Sequence, residues 1–180
     1  NNAEIRNYLK TAPPVKHSED LTCLWNGLKN GSISFVTTDH AGCDPQKEKV
    51  SDNFWEVYGG IPGVEHRVPY LFSEGFLKQK LSLSKTIELL STNVAECFNL
   101  TSKGRIEENY DADFALIDLW TEDSIEAERM HSKGKYTPFE GLRVNAVVDK
   151  TFLRGNMVMN KEGETEKGIG YGNYINVKKP

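Results

Sequence analysis

Phe35-Val36-Thr37-Thr38-Asp39-His40 is the stretch on which the fold of this chain turns. An apolar, β-branched run ends on a carboxylate and an imidazole, and the polar loop Ala41-Gly42-Cys43-Asp44 follows. Branched and aromatic side chains suit the pleated surface of a strand, so residues 33–37 are predicted to form one. In (β/α)8 enzymes the reactive groups sit at the C-terminal ends of the barrel strands, which puts Asp39 where a metal ligand or a general base belongs. Taken by itself, a strand ending in Asp-His fits a solvated turn equally well.

Working outward, Ser18 with Glu19 and Asp20 has the composition of a helix N-cap and acidic first turn. Leu21, Leu24, Trp25 and Leu28 then recur at helical spacing until Gly31. Residues 64–76 are predicted helical in spite of Pro69. Ser82 is predicted to cap a further helix with Leu83, Ile87, Leu90, Val94 and Phe98 on one face. Beyond about Thr101 the period changes. The runs Asp113-Phe114-Ala115-Leu116-Ile117-Asp118, residues 144–148, Thr151-Phe152-Leu153 and Met157-Val158-Met159 are short, apolar and separated by Gly, Asn and Asp turns, which is the pattern of strands. The expected organisation is an α/β chain in two parts. Residues 1–100 carry the last strand or strands of a (β/α)8 TIM barrel with their trailing helices, and residues 101–180 carry part of a small β-sandwich with a C-terminal tail. One barrel strand flanked by helices leaves both its edges unpaired. The remaining strands are therefore expected from an N-terminal barrel portion outside this chain.

Composition narrows the function classes. The net charge of −4 comes with acids and bases interspersed, and the longest like-charged runs are pairs such as Glu107-Glu108 and Lys178-Lys179. There is no basic stripe to meet a nucleic acid. Cys23, Cys43 and Cys97 form no CxxC pair and are too scattered for a disulfide framework. No run reaches the ~20 apolar residues of a membrane span, and the start Asn1-Asn2-Ala3-Glu4 has no signal-peptide pattern. A cytoplasmic protein that engages neither nucleic acid nor membrane is expected.

A series of motifs runs in order along nearly the whole chain. It comprises Leu24-Trp25-Asn26-Gly27-Leu28-Lys29-Asn30-Gly31, Thr37-Thr38-Asp39-His40, Gly60-Ile61-Pro62-Gly63-Val64-Glu65 with Arg67, and Leu71-Phe72-Ser73-Glu74-Gly75. Ser91-Thr92-Asn93, Lys103-Gly104-Arg105-Ile106, Asp111-Ala112-Asp113, Pro138-Phe139-Glu140-Gly141 and Gly170-Tyr171-Gly172-Asn173-Tyr174 continue it. In order and spacing the series resembles the C-terminal part of the cyclic amidohydrolases, above all the hydantoinases and dihydropyrimidinases of the amidohydrolase superfamily. The resemblance implies metal-dependent opening of a cyclic amide at a C–N bond. It implies two divalent ions, expected to be zinc, and a homo-oligomer, dimeric or tetrameric.

Carried over residue by residue, the resemblance makes Asp39 both a metal ligand and the catalytic carboxylate that accepts a proton from the bridging water. His40, adjacent on the strand and therefore facing the other way, is left a structural role. The family's other ligands belong to earlier strands. Gly59 and Gly60 match the place where main-chain groups meet the substrate ring, although hydantoinases usually carry Asn at the position of Gly59. The rival reading of that segment is a turn leading into the next helix through Pro62. Ala12, before Pro13-Pro14, occupies the end of the preceding strand and offers the substrate only its backbone.

Dihydroorotases usually have Asn at the position of Ala12 and Arg at that of Lys16. Tyr58-Gly59-Gly60-Ile61 resembles allantoinases. Both remain alternatives, as does a non-catalytic scaffold related to the collapsin response mediator proteins, which has no reason to keep Asp39. Cys43 is read as a bystander thiol, and His17, His66 and His131 as isolated surface residues. Asp111 and Asp113 are expected to bond turn amides, with Asn109 at a positive φ where the family has Gly. Residues 168–172 open no helix and so form no phosphate loop. They match a tail that in the family lies on a neighbouring subunit.

Overall fold

A computed structural model describes residues 6–163, 165, 167 and 169–177. Asn1-Asn2-Ala3-Glu4, Gly168 and the Lys178-Lys179 pair lie outside the described residues. Helix α1 spans Ser18–Asn30 and ends on Gly31 in the left-handed region. The cap is one residue earlier than the sequence suggests: His17 takes the N-cap position, and its N–H donates to the Asp20 carboxylate at 3.0 Å. A short helix α2, Pro45–Glu48, is capped by Asp44.

The helix predicted over 64–76 begins at Arg67. It runs as α3, Arg67–Tyr70, directly into a π-helical segment, Leu71–Leu77. Pro69 falls in the first turn, where its missing N–H has no intrahelical partner to lose. Ser82 does cap the next helix, accepting from the Lys85 amide at 3.2 Å. That helix comprises α4, Leu83–Ile87, a second π-helical segment, Glu88–Thr92, and α5, Asn93–Cys97.

The apolar face predicted for this helix is buried only in part, at Leu90 and Val94. Leu83, Ile87 and Phe98 are exposed, whereas Thr86 and Leu89 are fully buried. Thr86 is able to sit there because its hydroxyl donates to the Ser82 carbonyl. The 3.6-residue period also does not hold through the wider π turns. Leu89 joins Leu71 and Leu81 in the helical core, with Trp25, Leu28, Val36 and Leu90 packed against it.

Residues 33–37 form no strand among the described residues. A strand needs a neighbour, and here the backbone is held by helices instead. Val36 N–H donates to Leu89 O at 3.1 Å and Val36 O accepts from Arg67 Nη1 at 3.1 Å. Ser34 O accepts from Asn93 Nδ2 at 2.7 Å, and Ile33 N–H donates to Gly27 O at 3.0 Å. Gly27 permits that approach, because a Cβ on it would stand 2.9 Å from Ile33 Cδ1.

The second half holds β1, Phe114–Asp118, β2, Asp123–Ser124, β3, Arg143–Val144, β4, Val147–Leu153, and β5, Asn156–Asn160. Among the described residues, β1, β4 and β5 make an antiparallel sheet in the order β1-β4-β5, and β2 pairs with β3. The Phe114 and Phe152 rings stack across β1 and β4 at 4.7 Å. The run predicted over 144–148 is split between β3 and β4, because Asn145 N–H leaves the ladder for Ser73 Oγ at 2.9 Å.

Arg154 and Gly155, both at positive φ, close the β4–β5 hairpin as a two-residue turn. Asn109 has φ 70. Asp111 and Asp113 bind a cation rather than turn amides alone: both carboxylates pair with Lys103, and Asp113 also accepts from the Arg154 amide. Tyr171 of the tail folds back on the hairpin, its ring under the Arg154 guanidinium at 4.3 Å and its hydroxyl accepting from Asn156 Nδ2.

Candidate active site

Three loops meet at the end of the 33–38 segment. Ala41 N–H donates to Ile61 O at 3.0 Å, and His40 Nδ1 accepts from the amides of Gly63 and Val64 at 3.1 and 3.2 Å. The imidazole therefore fastens the 38–42 loop to the 60–64 loop. The third loop joins through Gly60, whose N–H donates to Lys10 O at 2.8 Å, two residues before Ala12. Ala12 precedes Pro13 through a cis peptide bond. Gly60 is required twice over: its φ is +125°, and a Cβ there would lie 2.5 Å from that of Ala41. Asp39, Ala12, Gly59 and Gly60 are thus carried on loops that are bonded to one another.

Asp39 itself is exposed and has φ 44, in the left-handed region. Side chains seldom adopt that conformation, and such strain clusters at functional sites. Its carboxylate makes no hydrogen bond or ion pair with the described residues, so a hard anionic donor stands free at the loop junction. This fits one ligand of a divalent ion. No group of three or more His, Cys, Asp or Glu side chains able to hold a metal occurs among the described residues. Asp39 fits a metal as a member of a larger donor set.

Behind the glycine loop lies a buried polar layer that sequence reasoning missed. Gly60 O accepts from both Lys49 Nζ at 2.8 Å and Tyr136 Oη at 3.1 Å. Lys49 is only 2% exposed. No carboxylate touches it among the described residues. Its ammonium lies 5.9 and 5.8 Å from the Tyr58 and Tyr136 ring centroids, and burial pushes its pKa down. Burial, and then the bond to Cys43, pushes the Tyr136 phenol far above the ordinary tyrosine range. Cys43 is itself buried, its Sγ 3.4 Å from Tyr136 Oη. Lys49 was masked in the sequence by the charged run Gln46-Lys47-Glu48, which reads as solvated surface. Tyr136 was masked by the turn-like Lys135-Tyr136-Thr137-Pro138.

Of the histidines expected at the surface and isolated, one is buried and another is paired. His66 is buried, with Nε2 3.2 Å from Thr137 Oγ1 and its ring edge-on to Phe139, and burial lowers its pKa. His131 is exposed but paired, its Nδ1 2.9 Å from Glu65. Both contacts tie the 130–139 loop to the barrel-side loops.

The tightest point of that seam is Gly134, where a Cβ would fall 1.7 Å from the Cys43 carbonyl oxygen. Only main-chain displacement relieves such a clash. Gly134→Ala is expected to destabilise by at least ~2 kcal/mol, the scale of overpacking a filled site. Gly172→Ala, with nothing within 4 Å, is expected to stay within ~0.5 kcal/mol. Urea unfolding midpoints of the two variants check this, and equal midpoints would contradict the packing.

Comparison with known proteins sets this geometry in context. Residues 13–158 match the amidohydrolase family. The chain belongs to that family. The amidohydrolase chain is 41% identical over 161 residues to an allantoinase of Bacillus licheniformis, an overlap of 89% of this chain and 34% of the relative. It is 37% identical to an allantoinase of Enterococcus faecalis, over 88% of this chain and 35% of the relative.

Among solved structures it superposes on a dihydropyrimidinase from Brevibacillus agri with TM-score 0.84 and 33% identity, covering 87% of this chain and 34% of that one. An L-hydantoinase (dihydropyrimidinase) from Arthrobacter aurescens gives 0.83 and 32%, covering 89% and 36%. The chain therefore spans about a third of the length of the relatives it matches. Over that third its fold is that of the TIM-barrel amidohydrolases, as the motif series implied. Members of this family are generally metal-dependent. No helix among the described residues is long and apolar enough to cross a membrane.

Proposed function

We propose that the protein containing this chain hydrolyses a C–N bond of a cyclic amide, with a hydantoin ring as the substrate class and allantoin as its foremost member. The observation that carries this is the Asp39 carboxylate at φ 44, without a partner among the described residues and held at the junction of the Ala12, 38–42 and 59–64 loops. Support for allantoin comes from the 41% identity to an allantoinase and from Tyr58-Gly59-Gly60-Ile61. Support for a hydantoin or dihydropyrimidine ring comes from the solved neighbours.

Asp39 would serve as one ligand of a divalent pair, taken as zinc, which when bound would lower the pKa of a water toward neutrality. Its carboxylate would accept the water's proton on one oxygen as the water oxygen bonds to the ring carbonyl carbon, and would return that proton to the ring nitrogen as the C–N bond breaks. Gly59, exposed and with nothing within 4 Å of its would-be Cβ, lets its main chain approach the flat ring. The Gly60 N–H and C=O are both engaged internally, so its part is to shape that approach. Ala12 offers main-chain groups from the third loop.

A division near residue 100 into barrel and sandwich portions, a cytoplasmic location and a homo-oligomer complete the proposal. The test is turnover by the full-length protein, loaded with zinc, on allantoin, hydantoin, dihydrouracil and dihydroorotate. Allantoin is expected to give the highest kcat/KM, followed by hydantoin. A preference for dihydroorotate would overturn the substrate class, and no turnover of any of the four would overturn the activity.

A further inference from the structure

We propose that Lys49 and Tyr136 are positioning residues, which grip the Gly60 carbonyl from the buried side and so fix the Gly59 main chain against which a cyclic amide ring is placed. The ring-facing part of this proposal rests on the function proposed above. The grip itself stands on the hydrogen bonds.

Two consecutive glycines give the chain its greatest freedom of rotation, and a Gly-Gly segment left to itself samples many orientations of its peptide planes. Here Gly60 is held from three directions. Its N–H goes to Lys10 O at 2.8 Å, and its carbonyl takes Lys49 Nζ at 2.8 Å and Tyr136 Oη at 3.1 Å. These bonds fix the peptide planes on both sides of Gly60, and the Gly59 carbonyl, which shares its plane with the Gly60 N–H, has a defined direction as a result.

Each donor is in turn held. The backbone carbonyl of Lys49 accepts from Asn7 Nδ2 at 2.9 Å, and Lys10 Nζ binds Phe54 O and Val57 O at the other end of the same loop. The Tyr136 hydroxyl gives its proton to Gly60 O and is left as an acceptor for the Cys43 thiol at 3.4 Å. Cys43 therefore lies at the end of a line of donors that terminates on Gly60.

A lysine is a costly choice for this place. A buried ammonium loses its hydration, and with no carboxylate in contact among the described residues it leans on the Gly60 carbonyl dipole and the Tyr58 and Tyr136 ring faces. An unbranched apolar side chain of similar length would fill the same space without that cost. A lysine that merely packed would thus be replaceable at no loss of binding, and the two roles separate experimentally.

The experiment compares full-length, zinc-loaded wild type with Lys49→Met, Tyr136→Phe and the double variant. The proposal expects Lys49→Met to unfold at the same urea concentration as wild type or higher. It expects KM for allantoin to rise ~10-fold, the scale of one lost charge-assisted hydrogen bond, with a smaller change in kcat. Tyr136→Phe should act in the same direction. Because both donors share one acceptor, the double variant should fall short of the product of the single effects.

Hydrogen exchange of the Gly60 amide, followed by mass spectrometry of the peptide spanning 57–62, should speed up ~10-fold in Lys49→Met, in step with the loosened grip. Unchanged exchange in both single variants overturns the grip, whatever the kinetics. Faster exchange with unchanged KM overturns the positioning role. A wild type that turns over none of the cyclic amides overturns the proposed function and the ring-facing part of the inference with it, and the exchange measurement still decides the grip.

Discussion

Asp39→Asn in the full-length, zinc-loaded protein is expected to lower turnover of the best cyclic amide at least ~100-fold, the lower end of what a positioned general base contributes. The amide is nearly isosteric with the carboxylate but cannot accept the water's proton. The fold should not change. Asp39 is exposed, has no hydrogen-bond partner among the described residues and sits at φ 44, and Asn tolerates the left-handed region as well as Asp does. Thermal unfolding of the variant should match wild type within ~0.5 kcal/mol. Metal content measured on the same samples separates loss of the base from loss of an ion. A fully metallated variant with near-normal kcat would remove Asp39 from the chemistry.

The 180-residue chain on its own, given excess zinc, is expected to hold no tight metal pair and to turn over none of the four ring substrates. Stable zinc sites take three or four protein ligands, and a catalytic pair takes more. The described residues bring together no three such side chains, and one carboxylate does not hold two ions against water. Self-association is expected as well. Leu21 and Leu24 of α1 remain about half exposed along a groove of ~330 Å³ that also involves Val36 and Tyr70. Metal analysis after gel filtration, light scattering and a turnover assay test the three statements together. Co-expression with the rest of the protein should restore metal binding. A compact monomer that binds two ions and opens a ring would overturn the barrel-end placement of Asp39.

Much of the architecture was legible because it rests on local rules. Ser82 as a cap, Gly31 as a helix stop, Asn109 at positive φ and the strands around Phe114 and Met157 all follow from chemistry within a few residues of each site. The points that escaped depend on partners distant in sequence. Residues 33–37 have a strand's composition, yet their backbone is bonded to Leu89, Asn93 and Arg67 in place of a neighbouring strand. The π-helical segments shift the buried face from Leu83 and Ile87 to Thr86 and Leu89, and no residue type announces that shift. At the site, Asp39 and the glycine pair were visible as motifs. Lys49, Tyr136 and His66 were not, because charged, turn-like and isolated surroundings conceal a buried side chain whose partner lies 11, 76 or 71 residues away.

The seam at Gly134 also bears on how pieces of this family can be exchanged. The Gly134 backbone lies so close to the Cys43 carbonyl that the 130–139 loop and the 41–44 loop have to fit each other at backbone level. Ser132 meets Gly42, and Thr137 meets His66, along the same line. The loop belongs by sequence to the β-rich half, yet it backs the loops that carry the candidate site. A hybrid cut near residue 100, the proposed junction between the halves, would set one parent's candidate-site loops against the other parent's 130–139 loop. A crossover placed after Gly141 keeps both faces of that seam from one parent, and the β1–β4 and β2–β3 pairings then become the places where the two parents have to match.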